Sequence, residues 1–77
     1  MNKKDNDYYY YLARTNIKKY RKIKKLTAQQ LADKSGFTHQ FIRDLESLKI
    51  TKRPRLDSLV RISNALDIDL KQLFEDE

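Results

Sequence analysis

The chain has 77 residues, with 17 Lys and Arg against 11 Asp and Glu for a net charge of +6, no cysteine and one histidine. No disulfide or thiolate metal site is possible, one His cannot hold zinc, and no apolar run approaches the roughly 20 residues that cross a membrane. One Gly and one Pro leave few places for hairpins. The expected fold is therefore all-α, in a single small domain that buries only about 60% of its unfolded surface.

Residues 1–6 are polar, lack the apolar stretch of a signal peptide and are expected to fray, leaving 7–77 as the domain. The first helix is predicted over residues 8–24, with Leu12, Ala13, Ile17, Tyr20 and Ile23 on or near one face. It opens on four consecutive tyrosines, 8–11. At helical spacing at most two of these face a core, and the others are exposed or cover a partner subunit.

Thr27 is a good N-cap, and Gln30 completes a capping box for a helix over 28–34 that buries Leu31 and Ala32. Gly36 follows where the helix should stop and where the backbone needs positive φ. Thr38 then caps a helix over 39–48 carrying Phe41, Ile42 and Leu45. Two short helices joined by a tight turn with glycine make a helix-turn-helix. In that unit one helix braces the DNA backbone and the other enters the major groove.

A basic loop follows, up to Pro54, which confines Arg53 to extended geometry. The fourth helix is predicted over 56–66, with Leu56, Leu59, Ile62, Ala65 and Leu66 at helical spacing. Asp67 stands where a glycine would be expected and tolerates the left-handed region less well. Asp69 and Gln72 form a second capping box for a last short helix with Leu70, Leu73 and Phe74. The total is five helices and no strand.

Charge is unevenly placed. Residues 18–25 hold six cations and 49–55 hold four, whereas 67–77 hold five acids and one Lys. A charge run alone is as readily a solvated helix face. Joined to a helix-turn-helix, a basic region facing away from an acidic tail favours an oriented polyanion partner.

The order Ile17-x3-Arg21-x4-Leu26-Thr27-x3-Leu31-Ala32-x3-Gly36-x5-Ile42-x2-Leu45-Glu46 resembles the phage-repressor and Cro-like (XRE-type) helix-turn-helix family. The stretch from Thr51 to Leu56, then Leu59-x2-Ile62-x2-Ala65-Leu66-x-Ile68-x4-Leu73-Phe74, is similar to small lambdoid-phage repressors. The likeness spans about residues 12–74. It implies a five-helix, lambda-repressor-like domain that binds operator DNA, usually as a symmetric dimer.

By position, the resemblance makes the third helix the recognition helix, with His39, Gln40, Arg43 and Asp44 facing base edges. Gln40 suits adenine, and Arg43 suits guanine or a phosphate. Asp44 could accept from cytosine, repel phosphates as an excluder, or simply face away. Phe41 either touches a thymine methyl or sugar, or packs on the second helix. Thr27 and Thr38 are caps whose neighbouring amides could receive phosphates. Lys52 and Arg53 match a loop that lies along the backbone, and Arg55 a residue that reaches toward a narrow minor groove. Arg21 and Glu46 fit a family ion pair between the first and third helices.

Two departures stand out. Ala28 replaces a glutamine that often opens the second helix. Ser47-Leu48-Lys49-Ile50 replaces an Asn-Gly turn and is one residue longer, which leaves the reach of Arg55 open. For dimerisation the family points to Leu48, Ile50 and Phe74, with the tyrosines as the alternative surface.

The expected function is a cytoplasmic regulator, nucleoid-associated when bound. It would hold double-stranded DNA at a pseudo-palindromic operator as a homodimer, and would act as a repressor by occupancy. No cofactor, metal or membrane is expected, and no arrangement of residues suggests catalysis. The alternatives are an antitoxin-type module that binds a partner protein and its own promoter, and a basic domain that binds RNA or anionic membrane without sequence choice.

Overall fold

The Asp5 carboxylate accepts from the Tyr8 backbone N–H at 2.9 Å and so N-caps helix α1, Asn6–Ile23. The computed structural model describes residues 5–76. The frayed segment expected over 1–6 thus falls largely outside the described residues, and its last two members are the cap and first residue of α1. Helices α2 (Ala28–Ser35), α3 (His39–Glu46) and α4 (Leu56–Leu66) follow, then a 3-10 helix at Leu70–Phe74. The fifth helix of the expectation is therefore one tight 3-10 turn rather than an α-helix. Among the described residues there is no strand, and no helix is long and apolar enough to cross a membrane.

Helix α1 packs against α3, α4 and the 3-10 turn, and α2 packs against α3 and α4. Their shared core is Ala13, Ile17, Leu31, Ala32, Ile42, Leu45, Leu59, Ile62, Leu66 and Leu73. Asn16, buried on α1, fastens the C-terminal end by donating from Nδ2 to the carbonyls of Leu73 and Glu75, each at 2.8 Å. The tyrosine hydroxyls add two ties, Tyr8 to Asp76 at 2.6 Å and Tyr20 to Glu75 at 2.7 Å. Accepting from the Tyr8 hydroxyl, Asp76 raises that phenol above its ordinary pKa. The acidic tail is therefore not remote from the basic stretch, because Tyr20 lies within residues 18–25.

Three expectations are corrected. Ile23 is exposed, because six residues past Ile17 it has turned about 120° away around the helix. Leu56, at the first turn of α4, is 62% exposed rather than in the core. Helix α3 stops at Glu46, two residues early, because a side chain from α1 takes its last carbonyls, as described below.

Three helices end in the same way. After α1, α2 and α4, the chain turns through Lys25 (φ 60°), Gly36 (φ 79°) and Asp67 (φ 59°). In each case the next residue donates back five positions: Leu26 to Arg21, Phe37 to Ala32 and Ile68 to Ser63, all at 3.0 Å. These are Schellman closures. Asp67 takes the left-handed conformation expected of it, and Lys25 does so with no warning in its residue type. The left-handed region costs an L-residue about 1–2 kcal/mol, partly offset by the larger unfolded-state entropy of glycine. Asp67→Gly and Lys25→Gly should each raise stability by about 0.5–1 kcal/mol in urea denaturation.

Candidate nucleic-acid interface

The turn between α2 and α3 is built to close tolerance. Thr27 caps α2 in a reciprocal box: its hydroxyl accepts from the Gln30 N–H at 3.0 Å, and the Gln30 side chain accepts from the Thr27 N–H at 2.8 Å. Thr38 caps α3 by accepting from the Phe41 N–H at 3.0 Å. Between them Gly36 is required by its positive φ of 79°, and a Cβ there would meet only the tip of the Arg61 side chain, which would have to shift. Arg61 reaches across from α4 to donate to the Ser35 carbonyl at 2.9 Å and the Gly36 carbonyl at 3.1 Å. Its guanidinium also lies 4.0 Å from the centre of the Phe37 ring.

A second guanidinium closes the other end of the motif. Arg14, 7% exposed, donates to the carbonyls of Leu45 at 2.8 Å and Asp44 at 3.0 Å, and to those of Ile50 at 2.7 Å and Lys52 at 3.3 Å. Two acceptors belong to the last turn of α3 and two to the basic loop. The carbonyls at a helix C-terminus carry partial negative charge and need donors. Burial lowers the Arg14 pKa, yet guanidinium remains charged in proteins. The dipoles of the four carbonyls hold that charge without a carboxylate.

Arg21 and Glu46 are brought together in a bidentate pair, with Nε to Oε2 at 2.7 Å and Nη2 to Oε1 at 2.9 Å. Both side chains are largely shielded, at 13% and 9% exposure. The third arm of Arg21 donates to the Leu26 carbonyl at 2.8 Å, which ties the turn into α2 to the same pair. The Glu46 bond raises the Arg21 pKa. With these ties made, no buried side-chain nitrogen or oxygen among the described residues lacks a partner.

What remains on α3 is an exposed polar face. His39, Gln40 and Arg43 are exposed, and Asp44 is half-buried. Gln40 and Asp44, one turn apart, are joined by a hydrogen bond from Nε2 to Oδ1 at 2.8 Å. Phe41 stacks on Phe37 with centroids 4.5 Å apart and planes 22° from parallel. The Lys52 ammonium lies 4.8 Å from the Phe41 ring centre. Two rings are thus held between two cations, and the loop is pinned beside α3. Phe41 thus packs on Phe37, in the turn between α2 and α3.

The other loop cations are spread out. Arg53 bonds to Asp7 on α1 and lies over the Tyr10 ring at 5.7 Å. Arg55 takes the N-cap position of α4, and its exposed side chain meets Asp57 at 3.2 Å. Pro54 between them is buried. Arg55 therefore projects from the start of α4, while Lys52 alone of the three is held against α3. Leu48 and Ile50 are exposed and line one cleft with Tyr10 and Tyr11. Phe74 lies in a separate apolar groove with Tyr9, Tyr10, Leu56 and Leu59. The three residues expected to form one dimer surface thus divide into two clefts, and the tyrosines border both.

The sequence model of the helix-turn-helix family matches residues 17–73. The chain belongs to that family. It is 42% identical over 62 residues to an uncharacterised HTH-type transcriptional regulator, YqaE, of Bacillus subtilis strain 168. That match covers 80% of this chain and 52% of the relative, so the chain spans about half the relative's length. Its fold is similar to that of the restriction-modification controller protein C.AhdI of Aeromonas hydrophila, with a TM-score of 0.78 at 22% identity. This likeness covers 91% of this chain and all of the other.

Sequence reasoning missed Arg14 and Arg61. Arg14 lies at i−3 from Ile17 and i−7 from Arg21, so the same helical stripe that buries Ile17 also carries both arginines. An apolar-only reading of the stripe hides them. Two stability predictions follow from these contacts. Arg14→Lys keeps the charge but loses the fork, leaving buried carbonyls without donors, and should cost about 2 kcal/mol or more. Glu46→Ala strands a shielded guanidinium and should cost about 3 kcal/mol, lowering Tm by more than 10 °C. Thermal and urea melts check both, and near-wild-type stability in either would refute the contact assigned to it.

Proposed function

We propose that the chain is a sequence-specific regulator of transcription that acts by occupying a duplex operator, most simply as a repressor in the cytoplasm. The observation that carries this reading is the pairing of an exposed polar face on α3 with a basic loop held beside it. His39, Gln40, Arg43 and Asp44 supply groups of the kind that read base edges. Thr27 and Thr38 present helix N-termini, whose amides and positive dipole ends suit phosphates. Lys52, Arg53 and Arg55 are assigned to the DNA backbone and the minor groove. Membership of the helix-turn-helix family and the regulators it resembles in sequence and fold support the same conclusion.

In this reading Arg53 and Arg55 exchange their carboxylate partners, Asp7 and Asp57, for phosphate oxygens. Both pairs are exposed and so hold little energy of their own. Lys52→Ala should weaken binding to all duplexes alike. It should also make the plot of log K against log salt shallower by about 0.9. Fluorescence anisotropy between low and moderate salt measures this, and an affinity that does not change with salt would refute the electrostatic part of the proposal.

The functional unit is proposed to be a two-fold dimer. One eight-residue recognition helix reads only a few base pairs, too few to single out a site among roughly 10⁶ competitors. Two helices related by a dyad require a pseudo-palindrome with half-sites about one helical turn apart. The cleft bordered by Tyr11, Leu48 and Ile50 is assigned to the dimer contact, since those three side chains are 54%, 47% and 44% exposed. Selection of duplexes from a random pool should return a symmetric site that binds two chains. An asymmetric site occupied by one chain would refute the dimer.

A further inference from the structure

On α3 the exposed Gln40 amide has a partner that sets its orientation. Its Nε2 donates to Asp44 Oδ1 at 2.8 Å, one helical turn away. The chemistry fixes the direction of this bond. An ionised carboxylate accepts and cannot donate, so it can only face the amide nitrogen. The amide oxygen is thereby turned away from Asp44. Of the two amide hydrogens, one is committed to Asp44 and one remains. Held in this way, Gln40 offers the major groove one donor beside one acceptor.

The four bases answer that offer differently. Adenine presents the N7 acceptor beside the N6 donor, which complements one donor and one acceptor. Guanine presents two acceptors, N7 and O6, and needs two donors. A Gln40 amide released from Asp44 could bring both hydrogens to guanine, whereas the held amide would set its oxygen against O6. Cytosine offers only the N4 donor, and thymine only the O4 acceptor and a methyl group.

We infer that Asp44 is a specificity-determining positioning residue, which orients the Gln40 amide so that this position of the site accepts adenine and rejects guanine. The inference rests on the proposed placement of α3 in the major groove. It assigns Asp44 a role through Gln40, not a contact with cytosine and not a general repulsion of phosphate. Asp44 is well suited to this role, because its backbone carbonyl is tied to Arg14 and the Cα that carries the carboxylate is fixed.

The test is duplex selection followed by measured affinities for sites differing only at the Gln40 base pair. Wild type should prefer adenine to guanine by about tenfold. Asp44→Ala should reduce that ratio to about twofold or less. Asp44→Asn, whose amide can face either end of Gln40, should relax it in the same direction while keeping side-chain size. Gln40→Ala should abolish the preference, and adding Asp44→Ala to it should change the ratio no further. Both Asp44 variants spare the carbonyl that Arg14 uses, so their melting curves should match wild type. If Asp44→Ala raises affinity for every base alike and leaves the ratio intact, Asp44 acts by charge alone. The inference then fails while the reading of Gln40 stands. If Gln40→Ala selects the wild-type site, the reading of Gln40 falls, and the role of Asp44 falls with it.

Discussion

The surface assigned to DNA depends on one buried guanidinium. Arg14 lies in the interior of α1, yet its four acceptors all belong to the end of α3 and the loop beyond it. By taking the carbonyls of Asp44 and Leu45, it closes α3 at its C-terminus. By taking those of Ile50 and Lys52, it bends the following loop back against the same helix. Lys52 then lies over Phe41, and α3 and the basic loop become one unit. A lysine could not substitute, because a compact ammonium lacks the planar fork that addresses several carbonyls at once.

The same device recurs at two other helix ends. Arg21 reaches the Leu26 carbonyl where α1 turns into α2, and Arg61 reaches the Ser35 and Gly36 carbonyls at the end of α2. A domain of this size has little apolar area with which to fix the angles between its helices. Three arginine forks supply that definition: Arg14 and Arg61 each reach the end of another helix, and Arg21 closes its own helix while pairing with Glu46 at the end of α3. Part of the positive charge is consequently structural. The cations left for a polyanion include Lys18, Lys19 and Lys22 on α1, Lys24 and Lys25 after it, Lys34 on α2, Arg43 on α3 and the four cations of residues 49–55.

Much of this was legible in the sequence because it is local. Thr27 with Gln30, Thr38, Gly36 and Pro54 act within a few residues of themselves, and their geometry follows from residue type. The Arg21–Glu46 pair joins distant segments, and only a family resemblance pointed to it. The features that escaped are those in which tertiary contacts override residue type. Arg14 and Asn16 are polar residues on a buried face, tolerated because each finds carbonyl acceptors from another element. Ile23 and Leu56 are apolar residues at helix ends, where the core does not reach. Lys25 takes a left-handed conformation because the turn from α1 into α2 demands one and the chain's single glycine serves elsewhere. In the candidate site, the residue types on α3 were readable, but the bond between Gln40 and Asp44 and the stack of Phe41 on Phe37 were not.

The central claim is that α3 and the loop fastened to it by Arg14 form the surface that meets DNA. It is tested most directly by an amide and side-chain NMR map recorded as the protein is titrated with its selected duplex. The account predicts perturbations at His39, Gln40 and Arg43, at the N-termini of α2 and α3, and through residues 49–55. The outer face of α4 and the 3-10 turn should be little affected beyond effects of dimerisation. Perturbations concentrated on α4 and the 3-10 turn, with the exposed face of α3 unmoved, would contradict it.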